Sequence, residues 1–283
     1  MELWFIYALT SGVIAWLSSF MMKISAEKNH NSPLIIMYTM FSASFFSFLL
    51  YLIAWVTIKW LWLLLILSIV MWITYSITSM TRIESLKNIG SFLYFPIYKS
   101  LMSVIVFLVW YYLFSERLYT IEALWIVLWI SVPLILINKE NNKREKNFVK
   151  WLILCLISAI TTVIAIFMWK LVIINELDVY LYVSIATFSW AILSLIIYNR
   201  KIKSELHSKS NIKLIWLVNW IFITAWFILF SKSLVWNTII SVTINSFSIM
   251  IPIFLSVLIY KEKLDFKKSI AIILTIISII LLK

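Results

Sequence analysis

The sequence predicts an all-α integral membrane protein: ten transmembrane helices in two inverted five-helix repeats. Three observations carry this. First, 64% of the 283 residues are hydrophobic, 13% are charged, and the mean hydropathy is +1.02. A soluble domain is about half apolar and a quarter charged, so these few polar groups could not cover a water-soluble chain of 33.5 kDa. Second, the apolar runs are long and unbroken, not the ~10-residue alternating segments of a transmembrane barrel. Third, the two halves of the chain align with each other. Disordered, collagen-like and disulfide-rich secreted classes fail on the same composition.

A helix needs about 20 apolar residues to cross a ~30 Å hydrocarbon core. By that measure the spans cover roughly 3–23, 33–58, 60–82, 90–114 and 119–138, then 150–174, 179–198, 212–232, 238–260 and 266–282. The sharpest interruption is KENNKREKNFVK, Lys139 to Lys150. It divides the chain into residues 1–138, a basic connecting loop at 139–149, and residues 150–283. The N-terminus lacks the short apolar run and small-residue cleavage site of a signal peptide, so the first span is expected to stay.

Taken in order, several spans carry polar groups at helical spacing. The first has Gly12, Trp16, Ser19 and Lys23 on one face; the third has Ser68, Trp72, Tyr75, Ser79 and Arg82. The fourth contains Lys99 with Pro96 before it, and the fifth is evenly apolar. The seventh has Tyr180, Ser184, Thr187, Ala191, Ser194 and Tyr198; the ninth has Thr238, Ser241, Asn245, Ser248 and Pro252; the tenth is again evenly apolar. Polar groups in a bilayer must face protein or a water-filled cavity. A single stripe reads equally well as helix–helix glue, but four in different spans predict a shared polar cavity, with spans five and ten outside it.

The internal alignment is punctuated by charge. SERLYTIEALWIVLWISVPLILI lines up with KEKLDFKKSIAIILTIISIILL, pairing Glu116 with Glu262 at an offset of 146. SGVIAWLSSFMMK lines up with SAITTVIAIFMWK, pairing Ser11 with Ser158 and Lys23 with Lys170 at an offset of 147. Because each unit has five spans, the second must enter the membrane in the opposite sense. Inverted repeats of this kind build secondary transporters with a midplane substrate site and alternating access.

The span junctions LFSERLYTIEALWIVL and IYKEKLDFKKSIAIIL, together with the stretch AWLSSFMMK, resemble the drug/metabolite transporter superfamily in its ten-helix EamA-like branch. The resemblance implies a transporter of small metabolites or drugs, with the fifth and tenth spans outside the central cavity and cytoplasmic termini. The chain departs from the family pattern where glycines are usual nine residues after each Glu: it has Trp125 and Ala271 there. With two glycines in all, close helix packing must rest on Ser and Ala.

The candidate substrate-binding residues are Lys99, Trp16, Ser19, Trp72, Tyr75, Phe95, Pro96, Ser103, Asn245 and Ser248. Lys99 is the sharpest, because an ammonium so deep in a span costs at least ~2.5–3.5 kcal/mol even on insertion scales. It reads as an anchor for a substrate carboxylate or phosphate, as a titrating switch, or as a structural cation bonded to carbonyls. Pro96 would free carbonyls nearby, and the Asn245 amide needs several partners. Lys23, Lys170, Arg82 and Glu84 are gate or coupling candidates. Every carboxylate lies at or near a span end, which argues against a central-carboxylate mechanism.

Other chemistry is thin. Cys155 is the single cysteine and lies inside a span; His30 and His207 lie in loops. No cofactor, metal site or nucleophile–base pair is expected, and the chain does not read as an enzyme. The net charge of +12 points not to nucleic acid but to orientation and to anionic lipid head groups. Of the 24 basic residues, eighteen fall in loops on one side and only Lys59, Arg117, Lys232 and Lys283 on the other. The positive-inside rule then puts the basic loops in the cytoplasm and both termini outside, against the family resemblance. The expected function is transport of a small organic metabolite across the plasma membrane, by a monomer or homodimer. An anionic or zwitterionic solute such as an amino acid is favoured; the alternatives are a multidrug or cation exporter of the same fold, or a non-transporting scaffold or lipid-handling protein.

Overall fold

The computed structural model describes residues 3–27, 32–54, 59–88, 91–114, 148–201, 212–235 and 238–247, with isolated positions at 124, 266, 269, 270, 273 and 274. Eight helices lie among the described residues: α1 Leu3–Glu27, α2 Ser32–Ala54, α3 Leu61–Asn88, α4 Ser91–Leu113, α5 Phe148–Ile174, α6 Val179–Lys201, α7 Ile212–Leu234 and α8 Thr238–Phe247. No strand occurs among them. They correspond to spans one to four and six to nine. Nearly all of the fifth and tenth spans, the connecting loop up to residue 147, Ser248 and Pro252 lie outside the described residues.

Among the described residues, five helices contain segments long and apolar enough to cross a membrane: Leu3–Met21, Pro33–Ala54, Leu61–Arg82, Lys150–Ile174 and Val179–Ile197. Shorter apolar stretches, Ile97–Leu113 and Asn219–Leu234, lie in α4 and α7. Rows of exposed apolar side chains, including Phe41, Phe45 and Phe48 on α2 and Ile192, Leu195 and Ile196 on α6, would be an aggregation surface in water and match lipid instead.

Helix α3 runs past the expected span end at Arg82 to Asn88. Arg82 and Glu84, read from the sequence as loop-proximal, are therefore helical. Along this stretch Thr81 and Ser85 bond back to the carbonyls of Ile77 and Thr81, and Arg82 finds a partner on α4.

Short loops force sequential helices to run antiparallel. The turn after α5 is a Schellman motif: Glu176 has φ 51°, its N–H donates to the Ile173 carbonyl at 3.1 Å, and the Leu177 N–H donates to the Val172 carbonyl at 3.0 Å. Asp178 then caps α6, its carboxylate accepting from the Leu181 N–H at 2.6 Å.

Packing is pairwise. Helix α2 lies along α6, where the Ser44 hydroxyl donates to the Ser184 carbonyl at 2.8 Å and the Ser184 hydroxyl to the Ser44 carbonyl at 3.1 Å. Phe41 and Phe188 meet on the same face, with ring centroids 6.1 Å apart. Helix α3 lies antiparallel to α5, through Thr78 to Thr161 at 2.7 Å and Thr81 to Ser158 at 2.6 Å. Helix α1 packs on α7 and α8, and α4 on α5 and α8.

These directions sort the helix ends. Lys59 meets Glu176 at 3.3 Å and Lys232 lies 5.3 Å from the Tyr7 ring, both at one end of the bundle. The ends bearing Lys87, Lys150 and Arg200 lie at the other.

Candidate functional site

Where the two sets of four helices meet, they leave an internal cavity of ≈ 70 Å³. A water needs ~10–15 Å³ of such space, so several waters or part of a small solute would fit. All eight described helices contribute to its wall. Helix α3 supplies Tyr75, Ser79 and Arg82, and α4 supplies Phe95, Tyr98, Lys99 and Met102; both sets follow the i, i+3/i+4, i+7 spacing of one helix face.

Two cations meet there around one phenol. The Arg82 Nη2 donates to the Tyr98 hydroxyl at 2.9 Å. Its guanidinium carbon stands 5.1 Å from the Tyr98 ring centroid, and the Lys99 Nζ stands 5.9 Å from it, both within cation–π reach. The Tyr98 hydroxyl also bonds the Thr162 hydroxyl at 2.7 Å, and Thr162 donates to the Ser158 carbonyl at 2.7 Å. Tyr94 stacks on Tyr98 with centroids 5.6 Å apart. The phenol is thus fixed from three sides. No Asp or Glu is among the described residues of the lining.

Another part of the lining is aromatic. Tyr75 stacks on Trp190 at 5.7 Å and meets Trp226 and Phe227 edge-on at 6.1 and 6.0 Å. Trp226 continues the wall to Phe230 at 5.6 Å. Four buried polar atoms in this lining have no hydrogen-bond partner among the described residues: the Tyr75 hydroxyl, Arg82 Nε, Trp190 Nε1 and Trp226 Nε1. All four are donors.

Of the residues singled out from sequence, Lys99, Ser19, Tyr75, Phe95 and Asn245 line this cavity. Arg82, expected as a gate, lines it too. Asn245 donates from Nδ2 to the Ser11 hydroxyl at 2.7 Å, tying α8 to α1. Three candidates lie elsewhere. Trp16 is buried against Phe20 one turn on, with centroids 5.9 Å apart; Trp72 packs half-buried against the core; Ser103 is buried outside the lining. Each sits a fraction of a turn from the cavity face, which sequence spacing alone does not resolve.

Lys170 is buried and donates to the Leu234 carbonyl at 3.3 Å, joining α5 to the end of α7. Glu84 is exposed on α3. Lys23 and Pro96 fall in α1 and α4 with side chains outside the described set, and Ser248 lies outside the described residues altogether. The seventh-span stripe is corrected: Ser184 bonds Ser44 across the α2–α6 contact, and Trp190 is the α6 residue at the cavity. Sequence reasoning also missed Tyr98, Thr162, Trp226 and Phe227. Tyr98 adjoins Lys99, and Thr162 sits in the aligned SAITTV segment; the aromatics are hidden among sixteen tryptophans.

No family model and no curated protein matches the chain. A solved crystal structure of a protein, one of 28 matching chains, resembles it at a TM-score of 0.75, over 97% of this chain and 95% of that one, with 12% identity. Likeness at that identity speaks to the fold alone.

Proposed function

We propose that this chain is a secondary transporter that moves a small organic metabolite across the membrane by alternating access, built from two inverted repeats of the drug/metabolite type. The observation that carries the reading is a regularity in the cavity wall. Ala15 and Thr162, Ser19 and Ile166, Ser79 and Trp226, Phe95 and Val242, and Tyr98 and Asn245 all line it, and the members of each pair stand 147 residues apart, the offset read between the first and sixth spans.

Two equivalent halves facing one another across a central site would give that regularity. The helix contacts support it: α1 on α7 answers α5 on α3, α1 on α8 answers α5 on α4, and α2 meets its counterpart α6 directly. Lys99 and Arg82 at this cavity make an anionic or zwitterionic solute the favoured cargo, and an exporter of organic cations the disfavoured one.

Labelling tests the reading without knowing the cargo. With Cys155 replaced by Ala, single cysteines at Ser19 and Ser79 are treated with a charged, membrane-impermeant methanethiosulfonate from one side of the membrane and then from the other. A transporter exposes both positions to both sides in turn. Protection of both positions from both sides means a dry core, and a scaffold or lipid-handling protein instead.

A further inference from the structure

We infer that the cavity selects a net-anionic organic molecule with an apolar, ring-sized body, in preference to a zwitterion or a cation. This deepens the transporter reading and rests on it for the identity of the site. Two groups of observations converge.

The first is charge. Arg82 and Lys99 flank the Tyr98 ring at 5.1 and 5.9 Å, and the described lining offers no carboxylate to balance them. A carboxylate or phosphate entering this space would supply the missing counter-charge and form charge-assisted hydrogen bonds, which are among the strong ones. An ammonium would meet two like charges in a poorly solvated space and find only hydroxyl and amide oxygens. A zwitterion brings both partners at once, so its ammonium offsets what its carboxylate gains.

The second is the set of orphaned donors. Tyr75 and Trp190 are 5% and 3% exposed, yet the Tyr75 hydroxyl and Trp190 Nε1, with Trp226 Nε1 and Arg82 Nε, have no acceptor among the described residues. Buried polar groups are rarely left so. Other buried donors, such as Trp110 Nε1 and Trp169 Nε1, are also without a partner among the described residues, but these four belong to residues that line the cavity, where a ligand rich in acceptors could meet them. The rings that carry them form a continuous wall from Tyr75 through Trp226 to Phe230, a surface on which a flat apolar body stacks. The head belongs at Arg82 and Lys99, and the body belongs on the Trp190–Trp226 side.

An anionic head on an apolar body could come from a soluble organic acid or from an acidic lipid, and the test separates them. The full chain, purified in neutral detergent, is titrated by calorimetry with phenylacetate and phenyl phosphate. Phenylalanine, phenethylammonium and phenylacetamide serve as matched zwitterion, cation and neutral probes. At least one anion is expected to bind tenfold or more tightly than all three. Arg82→Gln and Lys99→Gln should each weaken it about tenfold or more, as expected for loss of a hydrogen bond to a charged group, while Arg82→Lys keeps most of the affinity and reports on folding.

Equal binding of the cation or zwitterion overturns the inference, as does affinity indifferent to both Gln variants, or no binding of either anion at millimolar concentration. Repeating the titration in detergent doped with phosphatidylglycerol identifies the source: competition supports an acidic lipid head, and its absence supports a soluble acid. Flux of the same anions into proteoliposomes is measured separately. Selective binding without flux sinks the transporter reading and leaves the anion selectivity standing; flux without charge selectivity does the reverse.

Discussion

The bond from Arg82 to the Tyr98 hydroxyl, 2.9 Å long, gives the most direct quantitative test of how the cavity is held together. Tyr98 is 1% exposed, so its hydroxyl cannot trade Arg82 for bulk water. Tyr98→Phe removes the acceptor and little volume, leaving one guanidinium N–H to find another partner; Thr162 keeps its bond to the Ser158 carbonyl. Hydrogen bonds between transmembrane helices average ~0.6 kcal/mol in double-mutant cycles and reach ~1.7. Those to charged groups in soluble proteins run ~1.5–3. A charged donor to a buried neutral phenol within the bundle falls between, so the Arg82–Tyr98 coupling is expected at about 1–1.5 kcal/mol. Wild type, Arg82→Gln, Tyr98→Phe and the double variant are unfolded reversibly by SDS in mixed micelles and compared as a cycle. A coupling within ~0.3 kcal/mol of zero would mean that Arg82 is solvated independently, and the reasoning that treats it as a fixed part of the wall would fail.

Three further outcomes follow from the same geometry. Ala186→Leu, in the apolar core where Ala186 is 2% exposed, should cost about 1–3 kcal/mol by overpacking, read in the same micelle assay; a neutral result refutes tight packing around that residue. Glu176→Gly should stabilise by about 1 kcal/mol, since Glu176 has φ 51°, a left-handed conformation that costs a residue with a Cβ ~1–2 kcal/mol, and its ion pair with Lys59 is exposed and so contributes little. A loss of stability would mean that the pair outweighs the backbone.

The third concerns pH. Burial holds the Asp178 carboxyl above the ordinary carboxylate range, with the Leu181 and Tyr180 N–H groups pulling it partly back. Its contribution is therefore complete below the ordinary Asp value of ~3.9 and declines as pH rises through the raised folded value. Asp178→Asn keeps a capping side chain that cannot ionise, so wild type should lose ground to it between acid and neutral pH. A gap that stays constant with pH refutes the assignment.

The helices were legible in the sequence because a bilayer imposes a length and a composition that few residues escape. Spans one to four and six to eight match α1–α7 within a few residues, and α3 overran its expected end at Arg82, which ends an apolar run on paper and bonds Tyr98. Lys99 was legible for the converse reason, as a cation with no business in lipid. The aromatic wall was not legible. A Trp on the cavity face and a Trp on the lipid face look alike in a chain with sixteen of them, and only helix rotation separates Trp16 from Ser19 or Trp72 from Tyr75. The polar stripe of the seventh span failed differently, since hydroxyls that bond across a helix contact and hydroxyls that bond a solute have the same periodicity.

On the proposed repeat, the departures from equivalence carry as much meaning as the equivalences. At the 147-residue offset Arg82 corresponds to Leu229 and Lys99 to Ser246, while Trp226 corresponds to Ser79 and Trp190 to Ala43. Both cations therefore come from the first half and most of the aromatic wall from the second, although five pairs of lining positions, half of the lining, match across the two. Duplication would account for a central cavity with matched halves, and divergence for a cavity whose two sides ask for different chemistry. A solute with its head on one half and its body on the other touches both, so relative motion of the halves must change its contacts. A solute held by one half alone would bind both access states equally, and a ligand that does so shifts no equilibrium however tightly it binds. The asymmetry between Arg82 and Leu229, and between Trp226 and Ser79, is thus the feature through which a bound amphiphilic anion would bias the transition that carries it across.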